Sequence, residues 1–564
     1  MCGIFGFFAF DGATNIGNLN ERLDRMAKAQ SHRGPDYYDQ YFGRNFAIGM
    51  NRLAVYDKLN YSVPYVRENS VTAFNGEAYS INNIDIKHMV RTEGDGGVVA
   101  DILDHNLDNP SRAINSVNGM FATASISKTG DRLILARDRS GEKPIYYFDS
   151  GRYVLFASEI KSILAFFIDE SEYPKYRHTN DFYYLEGYVN HETPFEGIYS
   201  LKPGHILNVR CDKKMQEIEY WKLPHAEYGL KIKSNEHELV EELKYLLEDS
   251  VRLRSGNSST YITSLLSGGV DSTLVTTIGK PKIAFTGEYE DSGFTEGQIP
   301  SSLCKKLKIE HRVVKPCKQD FENFIDEVTW YADTPVTWTA FNLFMMFREV
   351  ARSGSRVCLT GEGSDEIFNG YARHSLYLNT WKVLETSLWP QYKELISKFQ
   401  SDPVSSYLQL TARSSVRSTY SESLYTNMAE RYSDLSRFIS AVDFYTSMQI
   451  LLQMADRMSM RFGVEARSPF LDHRIVEFGI SLPSSLKSKN FIGKYMVRKV
   501  GSCLNNGIDY FSVEKKGFGV PFNKWYGKSS FSRGAYFDLT LKKHAALFED
   551  FYKFNNSLEK FSLS

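Results

Sequence analysis

Residues 260–279 read TYITSLLSGGVDSTLVTTIG, and the larger half of the chain is organised around them. The opening TYITSLL is apolar and partly β-branched, and it has the length of a buried strand. Ser267, Gly268 and Gly269 then make a turn, and Val270 opens a segment with helical spacing. A strand that ends in Ser-Gly-Gly presents bare backbone N–H groups, and a helix N-terminus follows at once. Together they form a cradle for an anion such as phosphate. Asp271 inside that cradle would repel phosphate unless a cation lay between them, which implies Mg²⁺. The spacing is not the Walker pattern GxxxxGK[ST].

The flanking sequence repeats the strand-then-loop unit. PKIAFTGEY (281–289) and SRVCLTGEGSDE (355–366) each run from an apolar stretch into small residues, and FNLFMMFREVARSG (341–354) supplies a helix between them. EHELVEELKYLLEDSVRLR (236–254) adds a helix in front. This alternation predicts an α/β unit with a parallel sheet and helices on both faces. From about Gln400 to Lys487 the pattern is mostly helical. In LTGEGSDEIFNGY (359–371), Thr360, Gly361 and Gly363 permit close backbone approach. Glu362, Asp365 and Glu366 crowd three acids together, which is costly without a metal or ammonium partner. Beside SGGVDS, this loop has the character of the second half of a Mg·ATP site. The aromatic stretch WTAFNLFMMF (338–347) is expected to be core packing.

The first 210 or so residues have a different texture. GRNFAIGMNRLAVYD (43–57), SVTAFNGEAYS (70–80), the run 119–160 and GHILNV (204–209) are short β-rich segments split by Gly, Asn, Asp and Ser. LNERLDRMAKAQSHRG (19–34) and GGVVADILDHNL (96–107) have helical spacing, so an α+β layered-sheet domain is expected. The polar segment 218–236 is the join. The expected organisation is a first domain over 2–210, a linker over 211–235, a second domain over 236–540 and a surface tail over 541–564.

The chain begins MCGIFGFF. With Met1 removed, Cys2 carries a thiol and a free α-amine on one Cα. The amine pKa of about 7.7–8.0 lies close to the thiol at about 8.5. The amine then takes the thiol proton and no histidine is needed. In the same half, Asn75 and Gly76 offer an amide N–H pair for an oxyanion, Arg52 can pair a carboxylate, and Asp95 an ammonium group. An amino acid with a reactive side-chain carbonyl needs all three.

Composition limits the rest. The 564 residues are 42% hydrophobic and 24% charged with a formal net charge of −1, so no basic field favours nucleic acid or a membrane surface. The six cysteines contain no CxxC pair, which argues against a disulfide framework or zinc site and fits a reducing compartment. No apolar run of membrane-spanning length and no secretory leader are present, so a cytoplasmic location is expected.

These motifs occur in one order: SHRGPD (31–36), NGE (75–77), RDRSGEKPIYY (137–147), FASEIKSIL (156–164), SLLSGGVDS (264–272), LTGEGSDE (359–366), ADRMSM (455–460), SPFLDHR (468–474) and GKYMVRK (493–499). In this the chain resembles the glutamine-hydrolysing asparagine synthetases, which join a class II glutamine amidotransferase domain of the N-terminal nucleophile type to an ATP pyrophosphatase domain. The resemblance implies that Cys2 attacks the glutamine amide to form a thioester, with Asn75 and Gly76 as oxyanion hole. It implies a glutamine pocket of Arg52, Leu53, Ala54, Val55 and Tyr56, with Glu77 alongside and Asp95 on the α-amine. Ammonia then passes through an internal tunnel. ATP is held by Leu266, Ser267, Gly268, Gly269, Asp271 and Ser272, with Thr286, Thr360 and Gly361 near the adenosine. Asp271 and Asp365 resemble the Mg²⁺ ligands, Lys494 the lysine that neutralises phosphate charge, and Glu362 the acid that takes a proton when ammonia attacks.

The partners implied are glutamine, ATP and an acceptor carboxylic acid, aspartate first. A homodimer is compatible with the resemblance but not fixed by it. Alternatives are another carboxylate, such as a uronic acid of a surface polysaccharide, and intramolecular amide closure as in β-lactam or lasso-peptide synthetases. The departures from the family pattern concentrate in the second half. Besides Ala78, Ser80 and Gly97 in the first half, four stand in the second: Thr334 where Glu is usual, EDSGFTEGQ (290–298) in place of a segment with SPD, Asn369 where Gly is usual and Ser468 where Val is usual. All four are expected near the acceptor pocket.

Overall fold

The computed structural model describes residues 2–10, 17–55, 62–89, 93–177, 185, 187–188, 191–224, 235–256, 258, 260–289, 298–378, 402–411, 419–432, 434–514, 519–527 and 533–551. The first half contains two antiparallel sheets. One runs, edge to edge, Ile198–Ser200, Tyr146–Asp149, Tyr153–Ala157, Cys2–Ala9, Phe46–Arg52 and Tyr37–Phe42. The other runs Met215–Glu219, His205–Arg210, Arg132–Arg137, Val117–Ser127, Ser70–Ile81 and Tyr65–Val66, with Ile84–Asp85 paired to the long strand Ser70–Ile81.

The strand Cys2–Ala9 is buried along its whole length. Cys2, Ile4 and Phe8 face the core shared with the second sheet, whereas Phe5, Phe7 and Ala9 face the helices Leu19–Ala29 and Ile160–Ala165. Period-two geometry therefore puts the Cys2 side chain toward the second sheet, the face on which Asn75 lies. Both faces of the strand are covered, which is why it is apolar at every position. At Gly6 a Cβ would lie 2.5 Å from the Ala47 carbonyl oxygen.

The second half is a five-stranded parallel sheet in the order Glu310–Val314, Ile283–Gly287, Ile262–Leu265, Val357–Leu359, Glu465–Arg467. The helices Glu236–Ser255 and Val270–Gly279 cover one face through Leu243, Leu247, Leu274 and Val275. Trp338–Arg352 covers the other through Phe341, Phe344 and Phe347. Ile262–Leu265 is first in sequence; the chain adds Ile283–Gly287 and Glu310–Val314 on one side of it and then crosses over to add Val357–Leu359 and Glu465–Arg467 on the other. The loops leaving the C-terminal ends of Ile262–Leu265 and Val357–Leu359 therefore open at a topological switch point, where sheets of this kind bind ligands. Those loops are SGGVDS and TGEGSDE.

One expected boundary falls inside a hairpin and another inside a helix. The strand Met215–Glu219 pairs with His205–Arg210, so the second sheet continues past residue 210. The helix Arg533–Phe551 runs across residue 541, and its Phe548 ring stacks on Trp330 with centroids 5.3 Å apart. Residues 552–564 lie outside the described residues.

Candidate active sites

In the first half, strand register brings the predicted residues together. Cys2 pairs directly with Arg52. The Cys2 backbone N–H donates to Asn75 Oδ1 at 2.9 Å. That bond fixes the orientation of the Asn75 amide, and its Nδ2 is left buried with no partner among the described residues. A buried donor with nothing to donate to costs on the order of 1–3 kcal/mol. Beside a thiol it is positioned for a developing oxyanion. Gly76 has φ +134°, and a Cβ there would lie 2.0 Å from the Met120 carbonyl oxygen, so only glycine fits. Burial pushes the Cys2 thiol pKa up; the N-terminal charge, a Leu53 backbone hydrogen bond and Arg52 oppose it.

Glu77 and Asp95 make the next part of this region acidic and buried. Burial and then Asp95 push the Glu77 carboxyl well above the usual carboxylate range, while Arg467 opposes them. Glu77 Oε1 lies 3.2 Å from Arg467 Nη2, and Oε2 is buried with no partner among the described residues. Asp95 stands in the first turn of the helix Gly94–Asp104 and accepts the Ala78 N–H at 2.7 Å. Burial raises it as well. Two strained carboxyls of this kind favour a cationic ligand.

Leu53 and Val55 pack on Val357 and Met460 of the second half. Ala54 is held from both sides: its N–H donates to Asp36 Oδ2 at 2.7 Å, and its carbonyl accepts from Arg356 at 2.9 Å. Arg356 also grips both oxygens of Asp36. Tyr56 lies outside the described residues.

At the switch point, Ser267 Oγ and Ser272 Oγ are 2.9 Å apart, Gly268 has φ +73°, and Gly269 precedes the helix Val270–Gly279. The Leu266 N–H donates to Phe285, and Thr286 Oγ1 donates to the Leu266 carbonyl at 2.7 Å. The second loop touches the first at Gly361, where a Cβ would lie 3.1 Å from Asp271 Cβ. Lys494 Nζ sits 2.5 Å from Asp271 Oδ2 and 2.7 Å from Asp365 Oδ1. Burial works against the ammonium, but Asp271 and Asp365 outweigh it and hold its pKa above the usual lysine range.

Ser267, Asp271, Ser272, Gly361 and Asp365, with Glu362, Gly363 and Glu366, line a cavity of about 320 Å³, which Lys494 meets through its two carboxylate partners. Asp271 Oδ1 is buried and has no hydrogen-bond partner among the described residues. The donors offered are all oxygens, which suits Mg²⁺. Among the described residues no cluster of three or more His, Cys, Asp or Glu side chains is placed to hold a metal. Two carboxylates fit an ion that takes its remaining oxygens from phosphate and water.

The cavity has members that the sequence did not reveal. Thr339, Asn342, Leu343 and Met346 line it from the helix Trp338–Arg352, whose other face is core. The stretch expected to be core packing is thus half core and half pocket wall. His311 contacts the Thr286 hydroxyl at 2.9 Å. Of the departures expected near the acceptor pocket that fall on described residues, Ser468 touches its wall, with its hydroxyl 2.9 Å from Glu362 Oε2. Thr334 instead lines a separate cavity of about 40 Å³ between the two halves, beside Gln453 and Asp456. Asn369 is buried at φ +56°, bonding Ser436 and Ser440. Asparagine is the residue that best replaces glycine in that conformation. Residues 290–297 lie outside the described residues.

The two halves share a buried ionic seam. Arg33 donates from Nε to the Cys2 carbonyl at 3.2 Å and pairs with Asp456 at 2.7 Å. Lys161 and Arg457 both pair with Asp333, at 2.7 and 3.2 Å. Each of these side chains is almost wholly buried.

A family model for asparagine synthase matches residues 242–552, and one for a glutamine amidotransferase domain matches residues 1–221. Asparagine synthetase [glutamine-hydrolyzing] 1 of Bacillus subtilis is 27% identical over 576 residues, covering 93% of this chain and 88% of its own. A putative asparagine synthetase [glutamine-hydrolyzing] 2 of Methanocaldococcus jannaschii is 28% identical, covering 66% and 76%. Amidase chry2 of Gibberella zeae is 25% identical, covering 93% and 90%. A solved structure of the allosteric regulatory enzyme of purine biosynthesis aligns over 65% of this chain and 77% of its own, at 13% identity and a TM-score of 0.29. Among the described residues no helix is long and apolar enough to cross a membrane.

Proposed function

The chain belongs to the asparagine synthase family as a glutamine-hydrolysing carbon–nitrogen ligase, and we propose that it converts aspartate to asparagine in the cytoplasm with Cys2 as nucleophile. Cys2 forms a thioester with the glutamine side chain while Asn75 Nδ2 and the Gly76 N–H take the oxyanion. Arg52 and Asp95 hold the glutamine α-carboxylate and α-amine. Water releases glutamate, and ammonia crosses the seam between the halves without meeting bulk water, where it would become ammonium. At the second site the acceptor carboxylate displaces pyrophosphate from ATP. Ser267, Gly268, Gly269 and Ser272 cradle the phosphates, and Lys494 offsets their charge. Asp271 and Asp365 would hold Mg²⁺, which supplies charge neutralisation at the phosphates. Functionally we divide the chain at the join preceding the helix Glu236–Ser255.

The observation that carries this proposal is the three-residue strand Glu465–Arg467. Arg467 contacts Glu77 of the glutamine pocket, and the next residue, Ser468, contacts Glu362 of the other pocket. Two chemistries that must exchange one small molecule are thus separated by adjacent residues.

One feature favours a second acceptor. The described lining of the 320 Å³ cavity contains four acids and no lysine or arginine. The Lys494 ammonium beside that lining is already paired with Asp271 and Asp365, so a second carboxylate on the acceptor meets mainly acids, which favours a monocarboxylate such as a uronic acid. The test is mass spectrometry of products from glutamine, Mg·ATP and a panel of acids. Asparagine with AMP establishes the first acceptor. AMP and amide from a sugar acid alone establish the second. No AMP with any acid rules out both.

A further inference from the structure

Ser468 lies one residue beyond the strand Glu465–Arg467, is 4% exposed, and bonds two residues that line the synthetase cavity, Glu362 and Thr360. Its Oγ is 2.9 Å from Glu362 Oε2 and 2.7 Å from Thr360 Oγ1. A carboxylate only accepts, so the Ser468 proton goes to Glu362, and Ser468 in turn accepts the Thr360 proton. The two hydroxyls form a directed chain, Thr360 to Ser468 to Glu362, that ends on a charge. Such chains strengthen along their length. Backbone pairing fixes the donors: Leu359 is the register partner of Arg467, and the Thr360 N–H donates to the Arg467 carbonyl at 2.9 Å. Glu362 Oε1 has no hydrogen-bond partner among the described residues.

We propose that Ser468 is a positioning residue that pins Glu362 through Oε2 and leaves Oε1 to receive the proton of the attacking ammonia. This rests on the function proposed above, in which an acyl-adenylate meets ammonia. The nitrogen lone pair forms the C–N bond at the acyl carbon. The C–O bond to the phosphate breaks, and its electron pair leaves with AMP. One N–H proton passes to Glu362. A carboxylate free to rotate at Oε2 spends less time in reach of that proton.

The full-length protein is assayed as Ser468→Ala, Ser468→Thr and Glu362→Gln, with ammonium chloride as nitrogen source and the acid that the product screen identifies. Ser468→Ala should lower kcat for amide formation by about 10-fold, a modest share of what a general base supplies. KM for ATP and acid-dependent ATP–pyrophosphate exchange, which stops at the adenylate, should stay within about twofold. Ser468→Thr keeps the hydroxyl and should recover kcat to within about threefold. Wild-type kcat in Ser468→Ala beside an inactive Glu362→Gln overturns the positioning role alone. So does equal loss in the Ala and Thr variants, which would mark a packing effect. A fully active Glu362→Gln overturns the role of Glu362 itself.

Discussion

The two pockets treat buried charge in opposite ways. In the glutamine pocket the polar atoms are left uncompensated: Asn75 Nδ2 and Glu77 Oε2 are buried without partners among the described residues, and the Glu77 and Asp95 carboxyls are both pushed up. In the nucleotide pocket one charge group is already paired, the Lys494 ammonium lying between Asp271 and Asp365, while Asp271 Oδ1 keeps no hydrogen-bond partner among the described residues. The first site is built on the middle of a long strand, Ser70–Ile81, that cannot relax around its missing partner. The second is built on two loops and a lysine side chain that can rearrange. A small neutral amino acid suits the first arrangement, because its own charged groups complete the pocket. A polyanion with its cation suits the second, because it displaces a charge pair already in place.

This contrast predicts independent failure of the two sites. Cys2→Ala removes the nucleophile and should lower glutamine-dependent amide formation by about 10⁴-fold or more. Activity with ammonium salts should remain. Asp271→Asn should do the reverse, cutting AMP formation by about 100-fold while glutamine hydrolysis continues. Loss of both activities in either variant would contradict two separable sites. The uncompensated donor gives the next largest effect. Asn75→Ala should lower kcat for glutamine hydrolysis by about 10²-fold, the usual cost of one oxyanion donor. KM for glutamine should move much less, since the oxyanion exists only in the transition state.

Much of this was legible in the chain because the motifs are local. Cys2, Asn75, Gly76, SGGVDS and TGEGSDE each suggest a chemistry within a few residues, and the fold brings Cys2 to Asn75 and Gly361 to Asp271. What was not legible is what the fold brings together over long separations. Ser468 meets Glu362 across 106 positions, and Arg356 meets Asp36 across 320. Thr334 and Asn369 were expected at the acceptor pocket because they neighbour its motifs in sequence. In space Thr334 turns into the seam between the halves, and Asn369 turns into the helices that carry Ser436 and Ser440. The helix Trp338–Arg352 was expected as core because its apolar content hides which face meets the cavity. Periodicity gives the faces of a helix but not what each one meets.

Arg356 offers a finer probe of the contrast, because it belongs to the second half yet serves the first. It stands immediately before the strand Val357–Leu359 that leads into TGEGSDE, and it clamps Asp36 and the Ala54 carbonyl of the glutamine loop. Its side chain is 34% exposed, so part of the pairing is screened by solvent. Arg356→Ala should raise KM for glutamine by about 10-fold. Ammonium-supported synthesis should not change, because Arg356 does not line the nucleotide cavity. Lys in place of Arg should recover little, since one ammonium cannot reproduce the two-pronged grip.

The last effect is on stability alone and concerns a lysine that resembles Lys494 in burial but not in company. Lys487 is fully buried, and among the described residues its Nζ has one hydrogen bond, to Ser440 Oγ at 3.3 Å. Burial lowers its pKa to about 7 from 10.5, with Asp434 offsetting only part of the penalty. Lys494, equally buried between two carboxylates, moves the opposite way. Between about pH 7 and 10.5 the unfolded chain holds the Lys487 proton and the folded chain has released it, so stability rises with pH across that window. Below about 7 both states are protonated and the folded state bears the whole cost. Lys487→Met should therefore stabilise the protein at pH 6 by an amount on the order of a few kcal/mol. The gain should shrink as pH rises and vanish near 10.5. Thermal melts of both proteins across that range measure it. A gain independent of pH would mean that Met packs better than Lys at this position and that the charge is not the cause. A loss at low pH would mean that Lys487 has a compensating partner after all, and the opposition between the two lysines would collapse.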